Sequence, residues 1–143
     1  MTETIILHVE DDPDDAFFVR RAIAKIDPGC KVQRLPDGES AVNFLASVVE
    51  SKGDTLSPDL LLLDIKLPGL DGFEVLSWVR RQTYFNPLPI VMLSGSVLES
   101  DRHRAKDLGA AGYIVKTSDY REVAKTVLSF VPDRLASRQN GPH

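Results

Sequence analysis

Leu60-Leu61-Leu62-Leu63-Asp64 decides the fold of this chain. Four consecutive leucines do not alternate with polar residues. They read as a central parallel strand, Asp59–Leu63, covered by helices on both faces. The run ends on Asp64, and a carboxylate at the end of a buried strand needs a partner, because an unpaired buried charge is very costly. A second apolar strand, Ile5-Ile6-Leu7-His8-Val9, ends on Glu10-Asp11-Asp12. Two strands that deliver acids to one place suggest a divalent-cation site, and an aspartate beside such a cation suggests phosphoryl chemistry.

Outward from this stretch, apolar runs and helical patterns alternate five times. Strands are expected at Thr4–Val9, Cys30–Leu35, Asp59–Leu63, Leu88–Leu93 and Gly112–Val115. Helices are expected at Pro13–Ile26, Glu39–Ser51, Gly72–Gln82, Leu98–Leu108 and Asp119–Val131. This alternation predicts an α/β fold, a doubly wound five-stranded parallel sheet with helices on both faces. Pro13 suits a helix start, and Gly29 and Gly109 suit helix stops. In the first helix, Phe18, Val19, Ala22, Ile23 and Ile26 form one apolar stripe. Phe17 falls almost opposite it, either as a scattered surface residue or as a docking contact for a partner.

The chain has 143 residues, 43% of them hydrophobic, which fits one domain over 1–131 and a polar tail over 132–143 with no output domain. A net charge of −4 argues against a nucleic-acid partner, which would need a basic stripe. The single cysteine, Cys30, excludes a disulfide framework within the chain and reads as a small structural residue near a strand start. No apolar run approaches the roughly 20 residues of a membrane span, and Met1-Thr2-Glu3-Thr4 is not a signal peptide, so a cytoplasmic location with no membrane partner is expected.

In doubly wound sheets, ligands bind beyond the carboxyl ends of the strands. Glu10, Asp11 and Asp12 follow the first strand, Asp64 the third, Ser94 ends the fourth and Lys116 ends the fifth. Each has an ordinary reading when taken alone, most clearly the acids before Pro13, which complement a helix dipole. Together they place acids, a hydroxyl and an ammonium on one edge. Mg²⁺ suits such oxygen donors, and Mn²⁺ or Ca²⁺ could substitute. No GxxxxGK[ST] or GxGxxG phosphate loop is present, so the aspartate itself is the expected phosphoryl acceptor. Lys116 and Ser94 are placed to contact the phosphoryl oxygens. His8, inside the first strand, reads as a core histidine.

These motifs, in this order, resemble a receiver domain of the two-component response-regulator family over roughly Thr4 to Phe130. They are Ile-Leu-His-Val-Glu10-Asp11-Asp12, Pro58-Asp59-Leu-Leu-Leu-Leu-Asp64-Ile-Lys-Leu-Pro68-Gly69-Leu-Asp71-Gly72, Pro89-Ile-Val-Met-Leu-Ser94-Gly95 and Gly112-Tyr113-Ile-Val-Lys116. The resemblance implies a flavodoxin-like strand order, 2-1-3-4-5. It implies that Asp64 takes a phosphoryl group from a sensor histidine kinase. It further implies Mg²⁺ ligation by Asp11, Glu10, Asp64 and the Lys66 carbonyl, and a switch at Ser94 and Tyr113. Gly95 would leave Asp64 open to bulky donors, and Lys66 would tune phosphate lifetime. Phosphorylation then biases two states that already exist. The chain is expected to be a phosphoryl acceptor rather than an enzyme.

The family usually has proline after the site lysine, often with a cis peptide. Thr117 stands there instead, so a trans Lys116–Thr117 bond is predicted, since a cis non-proline bond costs about 3–4 kcal/mol. The Glu10–Arg21 segment, the polar loop before Pro58 and Lys116-Thr117 resemble regulators paired with bacterial and cyanobacterial phytochromes. That narrower resemblance implies a bacteriophytochrome kinase, a homodimer, and signalling through a downstream effector or a histidine phosphotransferase. Two other readings weigh less. A phosphatase of the haloacid-dehalogenase type expects Asp-x-Asp, which Asp64-Ile65-Lys66 lacks. A degenerate receiver would not need the full acid, serine and lysine set.

Overall fold

The computed structural model describes residues 3–52 and 57–132. Five parallel strands, β1 (Thr4–Val9), β2 (Cys30–Leu35), β3 (Leu60–Leu63), β4 (Ile90–Ser94) and β5 (Gly112–Val115), lie in the order β2-β1-β3-β4-β5. The helices are α1 (Pro13–Ile26), α2 (Gly38–Ser51), α3 (Gly72–Arg81), α4 (Glu99–Asp107) and α5 (Tyr120–Ser129). The strand order is the flavodoxin-like one.

Both faces of the sheet are buried. Leu61 and Leu63 pack with Leu7, Val9, Ile90 and Met92 against Ala41, Leu45, Phe73, Leu76 and Ala105, on α2, α3 and α4. Leu60 and Leu62 pack with Ile6, Val91 and Leu93 against Val19, Ile23, Val123 and Val127, on α1 and α5. Successive strand side chains point to opposite faces, so the leucine run feeds two cores at once. Hence it is apolar at every position rather than at every second one.

The strand and helix limits differ from expectation at turns. β3 begins at Leu60 because the Asp59 carboxylate folds back to accept the Ile5 N–H at 2.7 Å. β4 begins at Ile90, after Pro87 and Pro89 and a short 3₁₀ turn at Thr83–Phe85. Arg80 there donates to the carbonyls of Phe85 and Leu88. α4 and α5 are each shorter than expected at both ends, and α3 ends one residue early. Gly109, at φ +103°, lies just past α4 as a helix stop should. Gly29 does not act so: α1 closes at Asp27, in extended conformation, and Gly29 is not among the positive-φ glycines.

The stripe on α1 is narrower than its pattern suggested. Ala16, Val19 and Ile23 are buried, whereas Phe18 and Ile26 are 42% and 40% exposed. α5 packs beside α1, and Phe18 lies on the rim of that contact, its ring 5.2 Å from that of Tyr120. Phe17 is exposed, as expected. Cys30 and Phe73 are buried, and Trp78 packs half-buried on the α2–α4 side. No cis peptide occurs among the described residues, so Lys116–Thr117 is trans. The tail over 133–143 and residues 53–56 of the polar loop lie outside the described residues.

His8 is fully buried and neither ring nitrogen has a hydrogen-bond partner among the described residues. Burial, reinforced by Lys116 and Arg34, pushes its pKa down to about 3. The folded state therefore resists a proton that the unfolded chain accepts from pH 6.5 downward, and stability is lost as pH falls through that window. His8→Leu removes this penalty. Its stability relative to the parent should grow between pH 7 and pH 5, with a limiting slope of about 1.4 kcal/mol per pH unit. Urea unfolding at each pH measures it; a pH-independent difference would show that His8 is not the group responsible.

Candidate functional site

The carboxyl ends of β1, β3, β4 and β5 converge, and their sequences explain how. β1 runs into Glu10 and Asp11, and the next acid, Asp12, is spent locally. Its carboxylate caps α1 by accepting the N–H groups of Asp14 and Asp15, with Pro13 at the first helical position. The acidic run thus divides, with one acid starting a helix and two facing the sheet edge. Arg34, at the end of neighbouring β2, clamps this turn by donating to the carbonyls of Glu10 at 2.9 Å and Asp11 at 3.0 Å.

Glu10, Asp11 and Asp64 bring carboxylate oxygens within 4.8 Å of one another; Glu10 and Asp64 are buried and Asp11 is exposed. Asp64 receives the backbone N–H of Lys66 on Oδ1 at 3.3 Å. Lys116, from the end of β5, lies 2.7 Å from Glu10 Oε1 and 3.0 Å from Asp64 Oδ2. Burial pushes the Glu10 carboxyl up to about 7, although the Lys116 ammonium pulls it back. Burial alone would lower the Lys116 ammonium, but the Glu10 and Asp64 carboxylates outweigh it and hold it above its ordinary value. One cation thus serves two buried acids, and a third carboxylate faces them from the solvent side. The donors are all oxygen, the set that hard divalent cations prefer.

Ser94 is buried at the end of β4, where its Oγ accepts the Ser96 N–H at 3.2 Å and its carbonyl accepts the Lys116 N–H at 2.7 Å. Tyr113 is half-buried and donates its hydroxyl proton to the Ser96 carbonyl at 2.9 Å, and the Arg102 guanidinium lies 5.0 Å from its ring centre. Ser94 and Tyr113 are therefore joined through one residue. Gly95 is exposed, and a Cβ there would meet nothing within 4 Å. The Lys66 side chain is exposed beside Asp64. Phe17 stands apart from the carboxylates on α1, edge-on to Phe18 at 5.4 Å.

Sequence reasoning missed Asp15, Tyr120 and Arg34. Asp15 reaches Lys116 at 3.2 Å with one oxygen and accepts the Tyr120 hydroxyl at 3.3 Å with the other. An acid in the first turn of a helix reads as a complement to the dipole, which hides any second role. Arg34 is legible only once β2 is known to flank β1, in the register His8–Arg34.

The response regulator receiver domain family matches residues 6–128. The probable methanogenesis regulatory protein FilR2 of Methanothrix harundinacea is 33% identical over 123 residues, 86% of this chain and 78% of that protein. Among solved structures, the phosphorylated cyanobacterial phytochrome response regulator RcpA is 30% identical, with TM-score 0.77, covering 90% of this chain and 91% of that one. The Mn²⁺-bound response regulator Rcp1 is 29% identical, with TM-score 0.75, over 88% and 90% of the two chains. The bacteriophytochrome response regulator AtBRR is 31% identical, with TM-score 0.72, over 90% and 94%.

Proposed function

The chain belongs to the response regulator receiver domain family, whose members are phosphorylated on an aspartate by histidine kinases, and on that premise we propose that Asp64 is the phosphoacceptor. The observation that carries this is the meeting of Glu10, Asp11 and Asp64 within 4.8 Å, with the Lys116 ammonium 3.0 Å from Asp64. The Asp64 carboxylate forms the new O–P bond as the N–P bond of a kinase phosphohistidine breaks, and the electron pair leaves with the imidazole. Lys116 pairs with one phosphoryl oxygen and the Ser94 hydroxyl donates to another. Gly95 leaves the approach open, and Lys66 screens the product from water.

Glu10, Asp11, Asp64 and the backbone carbonyl of Lys66 would hold Mg²⁺. The fit rests on the three clustered carboxylates and on the buried Glu10 Oε1, which has no hydrogen-bond partner among the described residues and which an added cation would satisfy. When bound, the metal offsets repulsion between the acids and an incoming phosphoryl group. The Mn²⁺-bound form of a 29% identical regulator supports this choice.

The switch runs through Ser94, Ser96 and Tyr113. When the Ser94 hydroxyl turns to a phosphoryl oxygen, it gives up the Ser96 N–H, and Ser96 is what holds the Tyr113 hydroxyl. The readout is a changed face around Tyr113, recognised by an effector or a histidine phosphotransferase. Similarity to a cyanobacterial phytochrome response regulator and a bacteriophytochrome response regulator supports a phytochrome-type kinase partner; we further propose that this kinase docks at the exposed Phe17 and that the protein is a homodimer. Among the described residues no helix is long and apolar enough to cross a membrane; we place the protein in the cytoplasm with its kinase.

Incubation with acetyl phosphate and Mg²⁺ should add one phosphoryl mass to the intact protein, and EDTA should abolish the gain. Size exclusion before and after would reveal the dimer. No gain from acetyl phosphate or from any histidine kinase would overturn the reading in favour of a constitutive interaction module.

A further inference from the structure

Lys116 is surrounded by three carboxylates, not two. Its Nζ lies 2.7 Å from Glu10 Oε1, 3.0 Å from Asp64 Oδ2 and 3.2 Å from Asp15 Oδ2. It donates hydrogen bonds to Asp64 and Asp15 and stands as a close ion pair with Glu10, whose Oε1 has no hydrogen-bond partner among the described residues. Asp15 is not one of the three clustered carboxylates. It comes from the first turn of α1, and its other oxygen is held by the hydroxyl of Tyr120, the first residue of α5. Helix-dipole stabilisation accounts for an acid at this position. It does not account for a side chain turned to Lys116 and Tyr120 rather than to water.

We propose that Asp15 is a positioning residue that competes with the phosphoryl group for Lys116 and so selects among phosphodonors by their charge. The proposal rests on Asp64 being the phosphoacceptor. A phosphoryl oxygen at Asp64 needs a Lys116 donor, and Asp15 is the acceptor that shares the lysine's hydrogen bonds with Asp64. The Glu10 side chain is only 1% exposed, so water cannot replace a contact it loses. Asp15 has the longest contact, its side chain is 30% exposed, and water can replace what it loses. Asp15 therefore yields. Until it does, it holds the cation back and adds a negative charge beside the path of an anionic donor. Glu10 and Asp64 still anchor Lys116 when Asp15 is absent, so loss of the acid frees a donor without loosening the lysine.

Entry and exit of the phosphoryl group should respond differently. The free donor is far from Asp15 and the transition state is near it, so the charge slows phosphorylation. In hydrolysis the phosphoryl group is beside Asp15 both before and at the transition state, so the charge nearly cancels. Asp15→Asn should raise the rate of phosphorylation by acetyl phosphate about three- to tenfold, the size expected for one charge in a partly solvated site. With phosphoramidate, which carries less negative charge, the gain should stay below about twofold, and aspartyl-phosphate hydrolysis should change by less than about twofold. Asp15→Glu should restore the parent preference, and thermal unfolding checks that each variant is folded. Asp15→Ser serves the same comparison if the asparagine variant does not fold. Parent-like rates for Asp15→Asn with both donors, or equal gains with both, would overturn the inference while leaving Asp64 as acceptor. Failure of the parent protein to take a phosphoryl group from either donor or from a kinase would instead remove the underlying reading, and this inference with it.

Discussion

Replacing Gly72 by alanine is expected to destabilise the domain by about 3 kcal/mol and to displace Asp64, because overpacking against rigid atoms costs 1–3 kcal/mol and occasionally more. A Cβ at Gly72 would lie 2.1 Å from the Asp64 carbonyl oxygen, 2.7 Å from Ile65 Cα and 2.9 Å from the Asp64 carbonyl carbon. All three are backbone atoms, so no flexible side chain can give way. The contact is a product of the fold: α3 starts against the loop that leaves β3, and the Gly72 N–H donates to the Ile65 carbonyl at 2.8 Å. Asp71 completes the start of α3 through a capping box with Glu74. Either the helix shifts or the phosphoacceptor's backbone moves. Gly95→Ala is the internal control, since its Cβ would meet nothing within 4 Å. Urea unfolding of the two variants should separate them clearly, and similar losses would show that the Gly72 contact relaxes at little cost.

Lys116→Ala carries the second large effect, about 2–3 kcal/mol without metal. Removing one partner of a buried ion pair costs roughly 3–5 kcal/mol, and the Lys116 side chain is 25% exposed, which reduces it. The loss has a pH signature. Glu10 already sits at about 7, above its ordinary 4.5, so folding favours its protonated form, and stability falls as pH rises through that window. Without Lys116 the same carboxylate loses its nearest cation and this penalty deepens. The deficit should therefore be smaller at pH 5, where Glu10 is protonated and only Asp64 is left without its cation, than at pH 8, both in EDTA. Mg²⁺ should recover part of the loss at pH 8 by supplying positive charge to the same acids. A deficit equal at both pH values would point to lost packing of the lysine stem instead.

The parts of this molecule that a reader of the sequence can see are those with a repeating physical cause. The leucines of β3 are unbroken because they serve two cores, so the central strand and the two-faced sheet are legible together. Glu10, Asp64, Ser94 and Lys116 are legible because each interrupts or ends an apolar strand. What stayed hidden depends on neighbours that are far apart in sequence. Phe18 and Ile26 fit the α1 stripe by spacing, yet the arc that α1 buries against the sheet and α5 is narrower than the pattern. Gly29 resembles a helix stop, but Asp27 closes the helix first. Asp12 and Asp15 look alike as acids at a helix start. One is a cap, and the other shares the lysine that β5 delivers from a hundred residues away.

The destination of the phosphoryl group decides whether Asp64 is the acceptor. After incubation with acetyl phosphate and Mg²⁺, borohydride reduction converts an aspartyl phosphate to homoserine, and peptide mass mapping locates it. The prediction is homoserine at position 64, absent in Asp64→Asn, with Asp11, Asp12 and Asp15 unchanged. Homoserine at one of those acids, or undiminished phosphoryl uptake by Asp64→Asn, would contradict it.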